Sequence, residues 1–183
     1  MAQIAVFLSS TSDDLKDERG AVADGIRRMG WSAVGMEDFG SDSRAPAELC
    51  CEKLKGCSAY VGVVGFQYGS LVPGSGTSFT EFEYGVASDM GIPRLIYLRS
   101  AAARVAAHHV DVGHDRRRLD RFRSRLADLH TVTYFEHHHQ LAAHVVADLH
   151  RLSWAEWGRT RLEGDIDGLG APGVRGPHVR PPR

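Results

Sequence analysis

The sequence predicts an α/β domain built on a five-stranded parallel sheet with helices on both faces. Three observations carry this. Short apolar runs alternate with segments of helical period along most of the chain. The runs are almost continuously apolar, as in strands buried on both faces, instead of alternating apolar with polar. The chain has 183 residues, 43% of them hydrophobic, enough for one sizeable core and hardly for two.

The elements follow in order. "IAVFLSS" is an apolar run ending in hydroxyls and fits a buried strand. "TSDDLKDERGAVADGIRRMG" places Leu15, Val22, Ile26 and Met29 on one helical face, with Gly30 as the stop. "WSAVGM" is the second strand and "EDFGSDSRA" a polar loop. "PAELCCEKLKGC" reads as a short helix with Pro46 at its start. "AYVGVVGF" is the third strand, and the Gly-rich loop "QYGSLVPGSGTS" leads to a helix ended by Gly91 and Pro93. "RLIYL" is the fourth strand. "RSAAARVAAHHVDVGH" reads as a loop with a helical turn, and "DRRRLDRFRSRLADLH" as a helix with Leu119, Phe122, Leu126 and Leu129 on one stripe. "TVTYF" is the fifth strand, and a last helix from about His138 presents Leu141, Val145, Leu149 and Leu152. From Gly164 the chain is rich in Gly, Pro and Arg without an apolar period, which is the composition of a linker or tail. The expected division is residues 1–157 as the domain and 158–183 as linker or tail.

Composition excludes several classes. The net charge is -1, from 22 basic and 23 acidic residues, so nothing points to nucleic acid or an anionic membrane. The run "HDRRRLDRFRSRL" is broken by Asp115 and Asp120 at helical spacing and reads as a solvated helix face. Cys50, Cys51 and Cys57 are odd in number and confined to one segment, which argues against a disulfide framework or zinc site. Cys50 and Cys57 lie seven apart with Leu54 between, as buried positions of one helix do, and suit a reducing cytoplasm. The N-terminus has no basic n-region followed by a long apolar run, and no stretch of 18 apolar residues occurs. His137, His138 and His139 are consecutive and point in three directions, unlike metal ligands, so no metal is expected. Neither G-x-G-x-x-G after the first strand nor G-x-x-x-x-G-K-[ST] occurs.

Ligands of parallel sheets bind beyond the carboxyl ends of the strands. Those ends carry "SSTSDD", "MEDFGSDSR" and "FQYGSLVPGSG", the last leading into "TSFTEFEYGVASDMG". Two glutamates stand at the front of that helix. The helical neighbours of Glu81 are Thr77, Ser78, Tyr84, Gly85 and Ser88, a more polar stripe. Those of Glu83 are Phe79, Thr80, Val86 and Ala87, the face that packs on a core. A carboxylate there costs free energy unless it is ion-paired, protonated or used. Both glutamates also suit a helix start capped by Ser78 or Thr77.

The blocks "VFLSSTSDDLKDERGAVADGIRRMG", "VGMEDFGS", "AYVGVVGFQYGS" and "TSFTEFEYGVASDMGIPRLIYL" resemble, in order, those of the domain of unknown function 4062. That family is TIR-like (Toll/interleukin-1 receptor-like) and commonly stands ahead of signal-transducing NTPase or repeat modules. The resemblance implies a flavodoxin-like or TIR-like three-layer sandwich with strand order 2-1-3-4-5. It also implies a site. Phe7, Ser9 and Asp13 or Asp14 resemble the Phe-x-Ser and acidic residue that open a TIR domain. Enzymatic TIR domains carry Trp-Cys-x-x-Glu, whose glutamate cleaves NAD at the nicotinamide–ribose bond. Here Phe79 and Thr80 replace Trp and Cys, and Glu83 takes the place of the glutamate. Nucleoside deoxyribosyltransferases are similar too: their Glu-x-Gly-x-Ala and Gly-x-Pro resemble Glu83-Tyr84-Gly85-Val86-Ala87 and Gly91-Ile92-Pro93.

By this resemblance Glu83 is the candidate catalytic residue of an N-glycosidase. Its carboxylate would stabilise an oxocarbenium-like transition state. Ser9, Ser10 and Thr11 are candidates for holding a phosphate or ribose, and helix capping is the alternative reading. Phe66, Tyr68 and Phe79 are candidates for stacking on nicotinamide or a base, and core packing is the alternative. NAD enters as substrate, and no cofactor is implied. Glu37, Asp38, Phe39 and Gly40 occupy the place of the TIR loop that mediates self-association. The second reading is a non-catalytic interaction module that self-associates or relays a signal to downstream domains of a longer chain.

Overall fold

The apolar runs become strands. In this computed structural model, which describes residues 4–35 and 44–153, they are β1 (Ala5–Ser9), β2 (Ser32–Val34), β3 (Ala59–Val64), β4 (Arg94–Arg99) and β5 (Thr133–Phe135). All pairings are parallel, and the order is β2-β1-β3-β4-β5. β3 is central and all six of its residues are buried, which is why "AYVGVV" has no charged position. The expected interaction loop Glu37, Asp38, Phe39 and Gly40, the boundary at 157 and the stretch 158–183 lie outside the described residues.

Five helices connect and cover the sheet: α1 (Lys16–Arg28), α2 (Pro46–Lys55), α3 (Phe79–Asp89), α4 (Gly113–Leu129) and α5 (His138–Leu152). A short 3-10 turn, Ala107–His109, interrupts the loop before α4. α1 buries Val22 and Ile26 and carries Asp17 and Glu18 in its first turn with Arg27 and Arg28 in its last, which complements the helix dipole. Two units divide the chain, Met1–Asp148 and Leu149–Arg183. Of the second only 149–153 are described, and they hold the last turn of α5. No helix of the described residues is long and apolar enough to cross a membrane.

An aromatic chain runs through the core. Phe7 stacks on Tyr60 at 6.2 Å, Tyr60 meets Tyr84 edge-on at 6.4 Å, and Tyr84 meets Phe122 edge-on at 5.9 Å. Such pairs add about 0.5–1.5 kcal/mol each beyond the area they bury. Leu54, Leu98, Leu119 and Leu126 fill the space around them, each contributing about 1.5–3 kcal/mol by burial.

Three expectations are corrected. α2 ends at Lys55, so Cys57 lies beyond it in the turn to β3, half-buried, and only Cys50 is a buried helix position. Leu129 falls at the fraying end of α4 and is 63% exposed. The basic helix is also more than a solvated face, because Arg123 turns inward to the carboxyl ends of the strands. Its Nη1 donates to Val64 O (3.1 Å) and Gly65 O (2.9 Å), and its Nη2 to Arg99 O (2.7 Å). One guanidinium thus satisfies carbonyls at the ends of β3 and β4, where the ladder stops and the backbone would otherwise lack donors. Nearby, Arg99 forms a buried ion pair with Glu18 that fixes α1 against β4.

Candidate functional site

β1 ends at Ser9, and the segment after it turns over the carboxyl edge of the sheet before α1 begins. Asp14 secures that segment. Its Oδ2 accepts the Phe66 N–H at 3.1 Å, and its Oδ1 accepts the Thr11 hydroxyl. Gly65 leaves the space this needs, since a Cβ there would overlap the Asp14 carboxylate. Of the two acids expected at this point, Asp14 is therefore a buried link between the β1 and β3 ends, and Asp13 is exposed.

The loop after β3 folds back on itself. Val72 N donates to Thr77 O at 2.8 Å and Phe79 N to Ser70 O at 3.0 Å. Gly69 has φ +85, and a Cβ on it would stand 2.7 Å from the Thr11 methyl, so glycine serves both the turn and the close approach. Ser78 caps α3, its hydroxyl accepting the Glu81 N–H at 3.3 Å.

From this start the two glutamates diverge. Glu81 accepts hydrogen bonds from Tyr68 Oη (2.5 Å) and pairs with Arg125 Nη2 (2.9 Å). Glu83 faces β1, is 2% exposed, and its Oε2 accepts the hydroxyl of Ser9. Ser9 also meets the phenol of Tyr60, forming a buried Tyr60–Ser9–Glu83 set. Burial pushes the Tyr60 phenol well above its ordinary value, and the nearby Glu83 carboxylate adds to this. The Cys50 thiol is pushed up by burial first and by Glu83 second. Both groups stay neutral beside the carboxylate.

In front of Glu83 opens a cleft of about 360 Å³. Its lining is Ser10, Thr11, Ser12, Asp13, Arg19, Gln67, Gly69, Ser70, Phe79, Thr80 and Glu83. Arg19 donates from Nη1 to Ser10 Oγ (2.8 Å) and Ser10 O (3.2 Å), which holds a cation at the β1 side of the cleft. Phe79 is the aromatic of the lining. Two carboxylates (Glu83 and Asp13), an arginine, hydroxyls and an aromatic therefore share one opening, a set able to receive a ribose, a phosphate and a planar ring.

Of the residues expected from the sequence, Glu83, Ser10, Thr11 and Phe79 come together in this cleft, and Ser9 lies directly behind Glu83. Phe66 and Tyr68 lie outside its lining. Phe66 is beneath Arg123, whose guanidinium carbon is 5.6 Å from the ring centroid. Tyr68 is 5% exposed, with its hydroxyl on Glu81 and its N–H on Asp111 Oδ2 at 2.6 Å. Arg19, Gln67 and Ser70 were not singled out from the sequence. For Arg19 the available signal was its place one turn into α1, directly behind the hydroxyl-rich segment.

The family model described as "Domain of unknown function (DUF4062)" matches residues 5–150. Among solved structures, the TIR domains of the activated Roq1 resistosome, which directly recognizes the pathogen effector XopQ, are similar with a TM-score of 0.53 and 10% identity. The match covers 80% of this chain and 99% of that one. A diflavin flavoprotein A3 from Nostoc sp. is similar with a TM-score of 0.46 and 14% identity over 90% of this chain and 99% of that one. No curated protein matches by sequence. The fold is TIR-like.

Proposed function

The chain belongs to the DUF4062 family, and from that premise we propose that this TIR-like domain is an effector that cleaves the N-glycosidic bond of NAD or a related nucleotide through Glu83. One observation carries the reading: a carboxylate 2% exposed, held from behind by Ser9, lines an open cleft that also contains Arg19 and Phe79. The ribose lies against Glu83, the leaving ring against Phe79, and the phosphates toward Arg19 and the Ser10 and Thr11 hydroxyls. The C1′–N bond breaks heterolytically, and its electron pair leaves with nicotinamide or the base. The ribosyl cation that develops is stabilised by the Glu83 carboxylate, and Ser9 keeps that carboxylate aimed. Water then adds at C1′ and loses a proton to solvent, giving the free ribose hydroxyl.

The test follows nicotinamide release from NAD by the purified chain, concentrated or fused to an oligomerising tag. Glu83→Gln keeps the shape and removes the charge. A lost electrostatic stabiliser of this kind is worth about 3 kcal/mol, so the rate falls at least about a hundredfold. Glu81→Gln, whose carboxylate faces Tyr68 and Arg125, leaves the rate unchanged. Equal rates in the two variants remove Glu83 from the mechanism.

A second reading has its own support: the TIR domains with the similar fold belong to an activated resistosome. In this reading the domain is a non-catalytic module that self-associates and signals to downstream domains. Absence of turnover by the clustered wild type on NAD and a panel of nucleotides, together with dimers or larger species in sedimentation, selects it.

A further inference from the structure

α4 turns three arginines toward the first turn of α3. Arg118, Arg121 and Arg125 are spaced three and four residues apart, so they share one helical face. With Tyr68, Thr77 and Glu81 they line a second cavity of about 350 Å³. It lies on the side of α3 that carries Glu81, and the Glu83 cleft lies on the other. The lining residues of the two cavities do not overlap.

The charge in this cavity is unbalanced. Glu81 is the only acid in the lining, against three arginines, and it is already engaged by Arg125 at 2.9 Å. Arg118 reaches an acid outside the cavity, Asp115 at 3.3 Å, whose side chain is 59% exposed, so that pair is weak in water. Arg121 is exposed and, among the described residues, forms no ion pair. Like charges so close repel one another, and nothing in the packing of a solvated helix requires three of them on one face.

Two of the three are also held in place. The Arg118 guanidinium lies over the Tyr68 ring at 6.0 Å. That of Arg125 lies against the rings of both Phe122 (5.3 Å) and Tyr84 (5.7 Å). These ring contacts restrain the two guanidinium groups, which lowers the entropy lost when they take up a ligand. Planar forks in fixed positions match the oxygen pairs of phosphate groups.

We propose that this cavity is an anion site, separate from the Glu83 cleft, for a small phosphorylated molecule with a diphosphate group. The concave volume fits two phosphates with a small substituent, and three arginines offer more donors than a single carboxylate ligand uses. A long polyanion would need an unbroken basic track, and on α4 Asp115 and Asp120 interrupt the arginines and pair with two of them.

The experiment is titration of the purified chain with inorganic pyrophosphate at low salt, followed by calorimetry and by ³¹P line broadening. The wild type binds. Arg121→Glu, a change at an exposed position that leaves the fold intact, raises Kd at least about tenfold, in line with the loss of a charge-assisted contact. Arg118→Ala does the same and serves in its place if Arg121→Glu fails to fold. Unchanged affinity in the folded variant overturns the proposal. So does a loss seen in Arg19→Ala and not in Arg121→Glu, which moves the site to the cleft. Binding to anionic phosphoinositide vesicles without binding of soluble pyrophosphate overturns it as well.

Discussion

Replacing Ser9 by alanine removes the hydroxyl that donates to the Glu83 carboxylate, and the cost can be worked from the geometry. Both residues are 2% exposed, so water does not replace the lost donor. A hydrogen bond to a charged group contributes about 1.5–3 kcal/mol, and one between neutral groups about 0.5–1.5 kcal/mol. Ser9→Ala in the wild type therefore costs about 2 kcal/mol. In the Glu83→Gln background the acceptor is a neutral amide oxygen, and the same change costs about 1 kcal/mol. The double-mutant cycle should give a coupling energy of about 1 kcal/mol, above the few tenths seen for independent sites. Urea unfolding of the four proteins measures it, with thermal midpoints falling about 2–4 °C for each kcal/mol as a check. Equal costs of Ser9→Ala in both backgrounds would refute the idea that Ser9 serves the charge of Glu83. The cycle reads stability alone, so it holds whether or not the domain turns over NAD.

Arg123→Ala should destabilise the fold by about 3 kcal/mol, because three buried carbonyls lose a charged donor. Arg123→Lys should recover only part of this in the same unfolding assay, since one ammonium cannot span both strand ends. A pH dependence is expected from His130, which lies 2.8 Å from the Tyr84 hydroxyl. Burial first and the neighbouring Arg94 second hold its pKa below the ordinary value of 6.5. The unfolded chain therefore binds this proton more readily, and the contribution of His130 is fully present above pH 6.5 and declines as pH falls toward the lowered folded value. His130→Gln should flatten the fall in thermal midpoint between about pH 7 and 5, and an unchanged profile would rule His130 out as its source.

The order of strands and helices was legible because the strands are mostly apolar runs between turn residues. "AYVGVV" and "RLIYL" could hardly be anything else next to amphipathic neighbours. Glu83 was legible for a related reason. On α3 the residues three and four positions away decide which face a side chain joins, and Phe79, Val86 and Ala87 placed it inward. The sequence says least where long-range contacts decide. Helix capping is the alternative reading of Ser9, Ser10 and Thr11, yet α1 starts only at Lys16, and Thr11 is bonded to Asp14 and Ser9 to Glu83 instead. Phe66 and Tyr68 stand on the loop that borders the cleft, and local sequence does not say which way a loop side chain turns. Arg123 above one ring and Glu81 at the other's hydroxyl settle it, and both come from other elements. Arg123 itself looked like one more charge on a basic helix. Only the carbonyls of Val64, Gly65 and Arg99 at the strand ends, buried and beyond the sheet ladder, give it a reason to turn inward.

The two glutamates at the start of α3 differ in what their removal should do. Glu81 is matched to Tyr68 and Arg125, and such a carboxylate stabilises the fold modestly from a half-buried position. Glu83 stands beside the Ser9 hydroxyl, the phenol of Tyr60 and the thiol of Cys50, the last two pushed up by burial first and by Glu83 second. A buried carboxylate costs desolvation free energy that its partners must offset, so the effect of removing its charge reports how well they do so. The Glu83→Gln corner of the cycle separates the two uses. With a carboxylate kept for the fold, stability would fall when its charge is removed, because the charge-assisted bond from Ser9 becomes a weaker neutral one. A carboxylate kept for chemistry should be neutral or stabilising as glutamine, while nicotinamide release collapses. Stability rising as activity falls would tie the desolvation cost in the core to the chemistry in the cleft, whereas a large loss of stability with no activity in either protein would place Glu83 in the framework of an interaction module.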